Sequence, residues 1–71
     1  MINNIDLHGI KHDDVDRIVE NFVLMNELPI RIITGNSDRM ISLTKNVLDR
    51  HDFQYESFKS GQIIILKKAW Q

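Results

Sequence analysis

The stretch Ile5-Asp6-Leu7-His8-Gly9 decides the fold, because an apolar-polar alternation ends there in a glycine and a helical pattern follows at once. Side chains of a strand point alternately to opposite faces, so Ile5 and Leu7 are expected to enter a core. Asp6 and His8 then share the other face. A carboxylate beside an imidazole can fix the tautomer of the ring and stabilise its charged form, as an acid-base pair requires. The alternative is a solvated strand end without chemistry.

The composition is that of a small chain without covalent cross-links. At 71 residues, positions 1–71 are expected to form one domain with a core of marginal size. The absence of cysteine removes disulfides and thiolate metal sites and fits a reducing compartment. The N-terminus lacks the pattern of a leader peptide, and no apolar run approaches the ~20 residues that span a bilayer. We therefore expect a soluble, cytoplasmic protein that does not contact membranes.

The charge balance limits the classes of binding partner. A formal charge of −1 argues against broad electrostatic coating of nucleic acid, since proteins that bind in this way carry a clear basic excess. A local basic patch remains compatible with this balance.

Two segments have the spacing of amphipathic helices, with apolar residues at i, i+3, i+4, i+7 and i+8. The first has Asp13 and Asp14 in its first turn and ends near Met25-Asn26-Glu27, because Pro29 disfavours helix at the residue before it. The second stops around His51-Asp52. Both stripes are interpreted as core; they consist of Val15, Ile18, Val19, Phe22 and Val23, and of Met40, Leu43, Thr44, Val47 and Leu48.

Three further segments are typical of strands. Residues 30–34 are rich in β-branched side chains, and residues 53–58 alternate as an edge strand with one wet face does. Residues 62–67 are apolar on both faces and are therefore expected inside the sheet. The order β-α-β-α-β-β predicts an α/β fold, more narrowly an α+β two-layer sandwich. A mixed four-stranded sheet carries both helices on one face, with a parallel crossover and a final hairpin.

The two parallel strands direct their carboxyl ends to one edge, where open sheets gather ligands and helix N-termini offer free N–H groups. His8-Gly9 follows the first strand and Thr34-Gly35 follows the second. Asn36, Ser37 or Asp38 can cap the second helix. Such an edge suits a phosphate. The alternative is that Gly35 is only a turn glycine.

These residues resemble the Smr domain, the small MutS-related domain. Its opening motif L-D-L-H-G is matched by Ile5-Asp6-Leu7-His8-Gly9, and its second motif, T-G-x-G or H-G-x-G, is matched in part by Thr34-Gly35-Asn36-Ser37. The resemblance runs from Ile5 to about Leu66, and the first motif is its specific part.

The resemblance implies an α/β sandwich like the C-terminal domain of translation initiation factor three. It also implies binding of DNA or RNA and, in several members, a nicking or RNA-cleaving endonuclease. Asp6 and His8 match the positions on which that activity is thought to rest, and Thr34 and Gly35 match the substrate-binding turn.

The chain departs from the family pattern in two places. Ser37 stands where a glycine is usual, and Lys59-Ser60-Gly61-Gln62 replaces a more glycine-rich turn. Because Ser37 has a Cβ, close approach of its backbone to a phosphate is expected to be hindered or reshaped.

The first functional hypothesis is an endonuclease in which His8, oriented by Asp6, moves a proton to or from a 2′-OH, a water or a leaving oxygen. Backbone N–H groups around Gly35 would hold a phosphate, and Arg31 or Arg39 would neutralise it. No cage made by protein ligands alone is expected, so a divalent cation such as Mg²⁺ or Mn²⁺ would need substrate oxygens to complete its shell. The expected nucleic-acid contacts are Gly9, Arg31, Thr34, Gly35, Asn36, Ser37, Arg39, Lys59 and Gly61.

Two other hypotheses compete with cleavage. In the second, the same edge recognises a nucleic-acid structure such as a junction or loop without cutting it. In the third, Tyr55, Phe58 and Trp70 form a protein-binding surface on a pure scaffold. A domain of this size can also need a larger protein partner.

Overall fold

The structure, a computed structural model, describes residues 2–68. The predicted order β-α-β-α-β-β is confirmed. Its elements are β1 (Asn3–Asp6), α1 (His12–Met25), β2 (Ile30–Ile33), α2 (Asp38–Arg50), β3 (Phe53–Phe58) and β4 (Gln62–Lys68).

The four strands form one mixed sheet in the order β1-β2-β4-β3. β1 pairs parallel to β2, and β4 pairs antiparallel to β2 and to β3. The predicted interior position of β4 and the edge position of β3 are therefore confirmed. β1 is the other edge strand, and it is only four residues long.

The two faces of the sheet differ in what covers them. On the helix side, the side chains of Ile30, Ile32, Ile63 and Ile65 are fully buried. On the other side, the cross-strand rows are Asn4, Arg31, Ile64 and Glu56, and then Asp6, Ile33, Gln62 and Phe58. We call this second side the open face, because Asn4, Asp6, Glu56 and Phe58 are exposed there.

The apolar stripes of the helices pack onto the sheet as predicted, except that Leu43 of α2 and two residues of α1 are only partly buried. Val15, Val19 and Val23 of α1 are buried, whereas Ile18 and Phe22 are only partly buried. These two side chains lie on the side of α1 that borders the outer strand β1. The sheet ends there, so no further strand covers them.

Polar contacts join α2 to its neighbours. Arg50 donates two hydrogen bonds, of 3.1 and 2.8 Å, to the carboxylate of Asp16 in α1. The hydrogen bonds from Arg50 lower the pKa of Asp16 below its ordinary value of 3.8. The Tyr55 hydroxyl of β3 donates to Oδ1 of Asp49 at 2.9 Å. Burial, and secondly this bond, raise the pKa of Tyr55 to about 12.

The start of α2 is fixed locally. The Ser37 hydroxyl accepts a hydrogen bond from the Met40 N–H at 3.2 Å, so Ser37 is the N-cap among the three residues proposed. Neither helix within residues 2–68 is long and apolar enough to cross a membrane.

Candidate functional site

Three turns lie side by side at the carboxyl ends of the parallel strands. The Leu7 N–H donates to the Ile33 carbonyl at 2.9 Å, which holds the end of β1 against the end of β2. The N–H groups of Thr34 and Gly35 donate to the Gly61 carbonyl at 2.8 and 3.0 Å. The turns containing Gly9, Gly35 and Gly61 thus form one edge, which we call the carboxyl edge. The sequence predicted this meeting for the first two turns.

His8 lies in a turn and not on the strand. β1 ends at Asp6, and the Ile10 N–H donates to the Leu7 carbonyl at 3.0 Å. Gly9 occupies the third position of this turn with φ of +82°, a conformation that type II turns require of that position. The prediction that Asp6 and His8 share one face of a strand is therefore wrong, because the chain turns before the alternation reaches His8.

Asp6 contacts the backbone of His8. Its Oδ1 accepts a hydrogen bond from the His8 N–H at 2.9 Å. A short acidic side chain that accepts from the N–H two residues later stabilises a turn. Both residues are exposed, so the His8 side chain is presented at the carboxyl edge by a turn that Asp6 holds in place.

Polar groups of the Thr34-Gly35 turn are hydrogen-bonded to the hairpin that follows β3. Besides the two N–H bonds, the Thr34 hydroxyl lies 3.1 Å from the Gly61 carbonyl oxygen. Gly61 has φ of +87°, and a Cβ placed on it would lie 2.8 Å from the carbonyl carbon of Gly35. Among the N–H groups around Gly35 that were expected to hold a phosphate, the one of Gly35 itself already donates to the Gly61 carbonyl. The expectation for the other N–H groups stays a prediction.

Two further backbone donors lie at the same edge. In an α-helix the first N–H groups have no intrahelical acceptor, which in α2 leaves those of Asp38 and Arg39. Ser37 has an ordinary φ of −73° and its hydroxyl caps the helix, so the backbone there does not require the glycine that is usual in the Smr motif.

A groove of about 370 Å³ separates the start of α2 from the β3-β4 hairpin, and we call it the α2-hairpin groove. It brings together Asn36 and Lys59, which were predicted as nucleic-acid contacts, and adds Lys45 and Phe58, a residue at the end of β3 that is 40 % exposed. The sequence does not single out Lys45, because no local pattern indicates which side of α2 meets the hairpin. Its helical spacing from Asp38 and Ile41 was the available signal. The remaining lining residues are Asp38, Ile41 and Ser57.

The two predicted arginines lie outside this groove. Arg31 is half-buried on the open face, in the strand next to Asp6, and its Nε is buried without a hydrogen-bond partner among the described residues. Arg39 is exposed on the stripe of α2 that continues through Leu43 and Arg50, away from the hairpin. The structure therefore separates Arg39 from Lys59, although both were assigned to one surface.

The structure separates two of the aromatic residues that the third hypothesis, a protein-binding surface, placed together. Tyr55 faces the helices and packs against the core, whereas Phe58 lies on the open face. Trp70 lies outside the described residues. Tyr55 and Phe58 therefore do not present one protein-binding patch.

Within residues 2–68, no group of three His, Cys, Asp or Glu side chains is arranged to hold a metal ion. The features that remain for a ligand are the exposed His8 turn, the start of α2 and the α2-hairpin groove. No protein-family model, curated protein or solved structure gives a significant match to this chain.

Proposed function

We propose that this chain is a nucleic-acid-binding domain of the Smr type that works in the cytoplasm, binds DNA or RNA at its carboxyl edge, and cleaves a phosphodiester with Asp6 and His8. The observation that carries the proposal is the α2-hairpin groove, which places Lys45, Lys59 and an exposed Phe58 beside Asn36 of the second Smr-like motif.

The groove has the groups that bind a single nucleotide unit of a chain. Neither Lys45 nor Lys59 forms an ion pair with another described residue, so both ammonium groups are available to phosphate oxygens. The ring of Phe58 can stack on a base, and the N–H groups that begin α2 can receive a phosphate. This local patch supports binding in a chain whose net charge is −1.

Cleavage requires a proton acceptor at the phosphate, and the exposed His8 ring supplies one. In this mechanism the imidazole takes the proton of a 2′-OH or a water as that oxygen attacks phosphorus, and a proton is returned to the leaving oxygen. Asp6 acts as a positioning residue through its bond to the His8 N–H. A divalent cation would be held jointly by Asp6 and substrate oxygens.

Binding is tested by salt titration of the affinity for duplex DNA and for structured RNA. Each phosphate contact contributes roughly −0.9 to the log-log slope on duplex DNA, so a few contacts give a slope of a few units. Lys45→Gln and Lys59→Gln should each weaken binding and flatten the slope by about one contact. Lys67→Gln, at the far end of β4, is the matched control and should change neither. An affinity that does not depend on salt contradicts this site.

Cleavage is tested by incubating the protein with supercoiled plasmid and with structured RNA, with Mg²⁺, with Mn²⁺ and with a chelator. His8→Ala should abolish cleavage and leave binding nearly intact, whereas His12→Ala, an exposed histidine in α1, should cleave as the wild type does.

Two variants of Asp6 separate its structural role from its charge. Asp6→Asn retains an oxygen that can accept the His8 N–H but removes the charge, so a loss of cleavage in this variant identifies a chemical role for the carboxylate. Asp6→Ala removes both functions. If the pair acts as one unit, the double variant with His8→Ala should be no worse than His8→Ala alone.

A non-catalytic binding module is the second candidate, and one observation favours it. The carboxylate of Asp6 bonds the backbone of His8 at 2.9 Å, which accounts for the motif as a turn without any proton transfer. Wild-type protein that binds but never cuts under these conditions, with affinity lowered in His8→Ala, would establish this alternative and make His8 a contact residue.

A further inference from the structure

A free strand edge and an apolar groove lie next to each other at the outer side of β1. Ile5 of β1 and the α1 residues Ile18, Phe22 and Met25 line a groove of about 390 Å³, which we call the β1-α1 groove. Met25 is 81 % exposed. Large apolar side chains around a groove at the margin of the core mark a surface that another apolar surface can cover.

The backbone of β1 offers hydrogen-bonding groups at the same place. The Leu7 N–H points to β2, where it donates to Ile33. Neighbouring residues of a strand direct their backbone groups to opposite edges, so Asn4 and Asp6 direct their N–H and C=O groups away from the sheet. β1 reads Asn-Asn-Ile-Asp and contains neither the proline nor the lysine that commonly blocks pairing at an edge.

The β1-α1 groove contains no charged side chain, in a chain of which 27 % of the residues are charged. Two copies of this surface can therefore meet without opposing like charges. We propose that a second copy of this chain covers the groove, with the two β1 strands paired antiparallel about a twofold axis. The residues that would meet across this axis are Ile5, Ile18, Asn21, Phe22, Met25 and Asn26.

The sequence of β1 selects one register for this pairing. The outward backbone groups of Asn4 and Asp6 must face outward groups of the other copy. Pairing Asp6 with Asp6 opposes two carboxylates, and pairing Asn4 with Asn4 sets Ile5 against a polar Asn3. Pairing Asn4 with Asp6 avoids both faults, because an amide donor then faces a carboxylate on the open face.

In this register Ile5 lies opposite Ile5 of the other copy, on the helix side and at the axis. Directly opposite residues of a pair that is not hydrogen-bonded have their side chains closest together. The two isoleucines thus extend the apolar groove across the axis, and the sheet continues from one copy into the other. The α2-hairpin groove lies at the opposite margin of the sheet, so this association leaves it accessible.

The first test is sedimentation equilibrium of the wild-type protein from about 1 µM to about 1 mM, a range that spans weak to moderate self-association. We expect a reversible monomer-dimer equilibrium. Met25→Glu should raise the dissociation constant at least about tenfold, since it brings charge into the groove. Leu24→Glu is the matched control. Leu24 is 54 % exposed and adjacent in α1, points away from the groove, and should leave the constant within about twofold.

The second test addresses the register. Asn4→Asp sets a carboxylate against Asp6 of the other copy and should weaken the dimer, whereas Asn4→Lys sets an ammonium there and should strengthen it. Hydrogen exchange supplies a direct readout, because the amides of Asn4 and Asp6 should become protected only at concentrations where the dimer forms. A protein that stays monomeric over the whole range, equal effects of Met25→Glu and Leu24→Glu, or dimers whose Asn4 and Asp6 amides exchange freely would each overturn the proposal.

Discussion

Gly61→Ala is expected to damage the fold more than the same change at either other glycine of the chain. All three glycines have positive φ, at +82°, +70° and +87° for Gly9, Gly35 and Gly61. A non-glycine residue in the left-handed region costs about 1–2 kcal/mol, and each of the three alanine variants should lose this amount. Only at Gly61 would the added Cβ also meet backbone, at 2.8 to 2.9 Å from three atoms of Gly35.

That contact cannot be relieved by a side-chain rotation, because the atoms belong to the main chain. Overpacking typically costs about 1–3 kcal/mol more. Gly61→Ala should therefore lose about 2–5 kcal/mol in total. A small domain has a free energy of unfolding of about 5–15 kcal/mol, and the variant should therefore lose a large part of its stability. At Gly9 and Gly35 no atom lies within 4 Å of the added Cβ.

Urea unfolding followed by circular dichroism measures the three variants on one scale. The expected order of midpoints is wild type, then Gly9→Ala and Gly35→Ala together, then Gly61→Ala. A midpoint for Gly61→Ala equal to that of Gly9→Ala would refute the argument, because it would show that the two turns do not interlock as described.

Three further outcomes are expected. Leu48→Ala should lose about 2–5 kcal/mol because Leu48 is fully buried, whereas Leu24→Ala should change stability little because that side chain is 54 % exposed; equal midpoints in urea would contradict the packing of α2. Titration of the absorbance of Tyr55, the only tyrosine, should give a midpoint at about 12 that Asp49→Asn moves downwards. Since the folded pKa is the higher one, this stabilisation is present below the ordinary tyrosine pKa and is lost as the pH rises through about 12. For Asp16 the sign is opposite: its folded pKa is lowered, so the stabilisation is present above 3.8 and is lost as the pH falls through the folded value. The midpoints of wild type and Asp16→Asn should accordingly converge in acid.

The elements of the fold were predictable because their signals are local. The helical stripe of α2 and the break at Pro29 lie within a few residues of the structure they specify, and Ser37 sits at the N-cap position itself. His8 was misplaced because an apolar-polar alternation continues in the sequence past the point where the strand ends. The turn is shown by the Ile10 N–H bond to the Leu7 carbonyl, the positive φ of Gly9 and the Asp6 bond to the His8 N–H.

The parts of the candidate site that were missed depend on contacts between distant segments. The Gly61 carbonyl accepts from Thr34, 27 positions earlier. No local sequence pattern indicates that Gly61 must approach Gly35 so closely. Lys45 is a similar case, since its role follows from the hairpin that packs beside α2. An exposed lysine on a helix is ordinarily only a solvated charge.

The interlocked turns also explain how so small a chain can keep its carboxyl edge ordered. Two backbone N–H groups and one hydroxyl converge on the Gly61 carbonyl oxygen, so the Thr34-Gly35 turn and the hairpin move as one unit. The same hairpin carries Phe58 and Lys59, while the chain that leaves Gly35 enters α2, which carries Lys45. The two walls of the α2-hairpin groove are therefore held at a fixed separation by a bond network whose residues do not line the groove. Preorganisation of this kind lowers the entropy lost on binding.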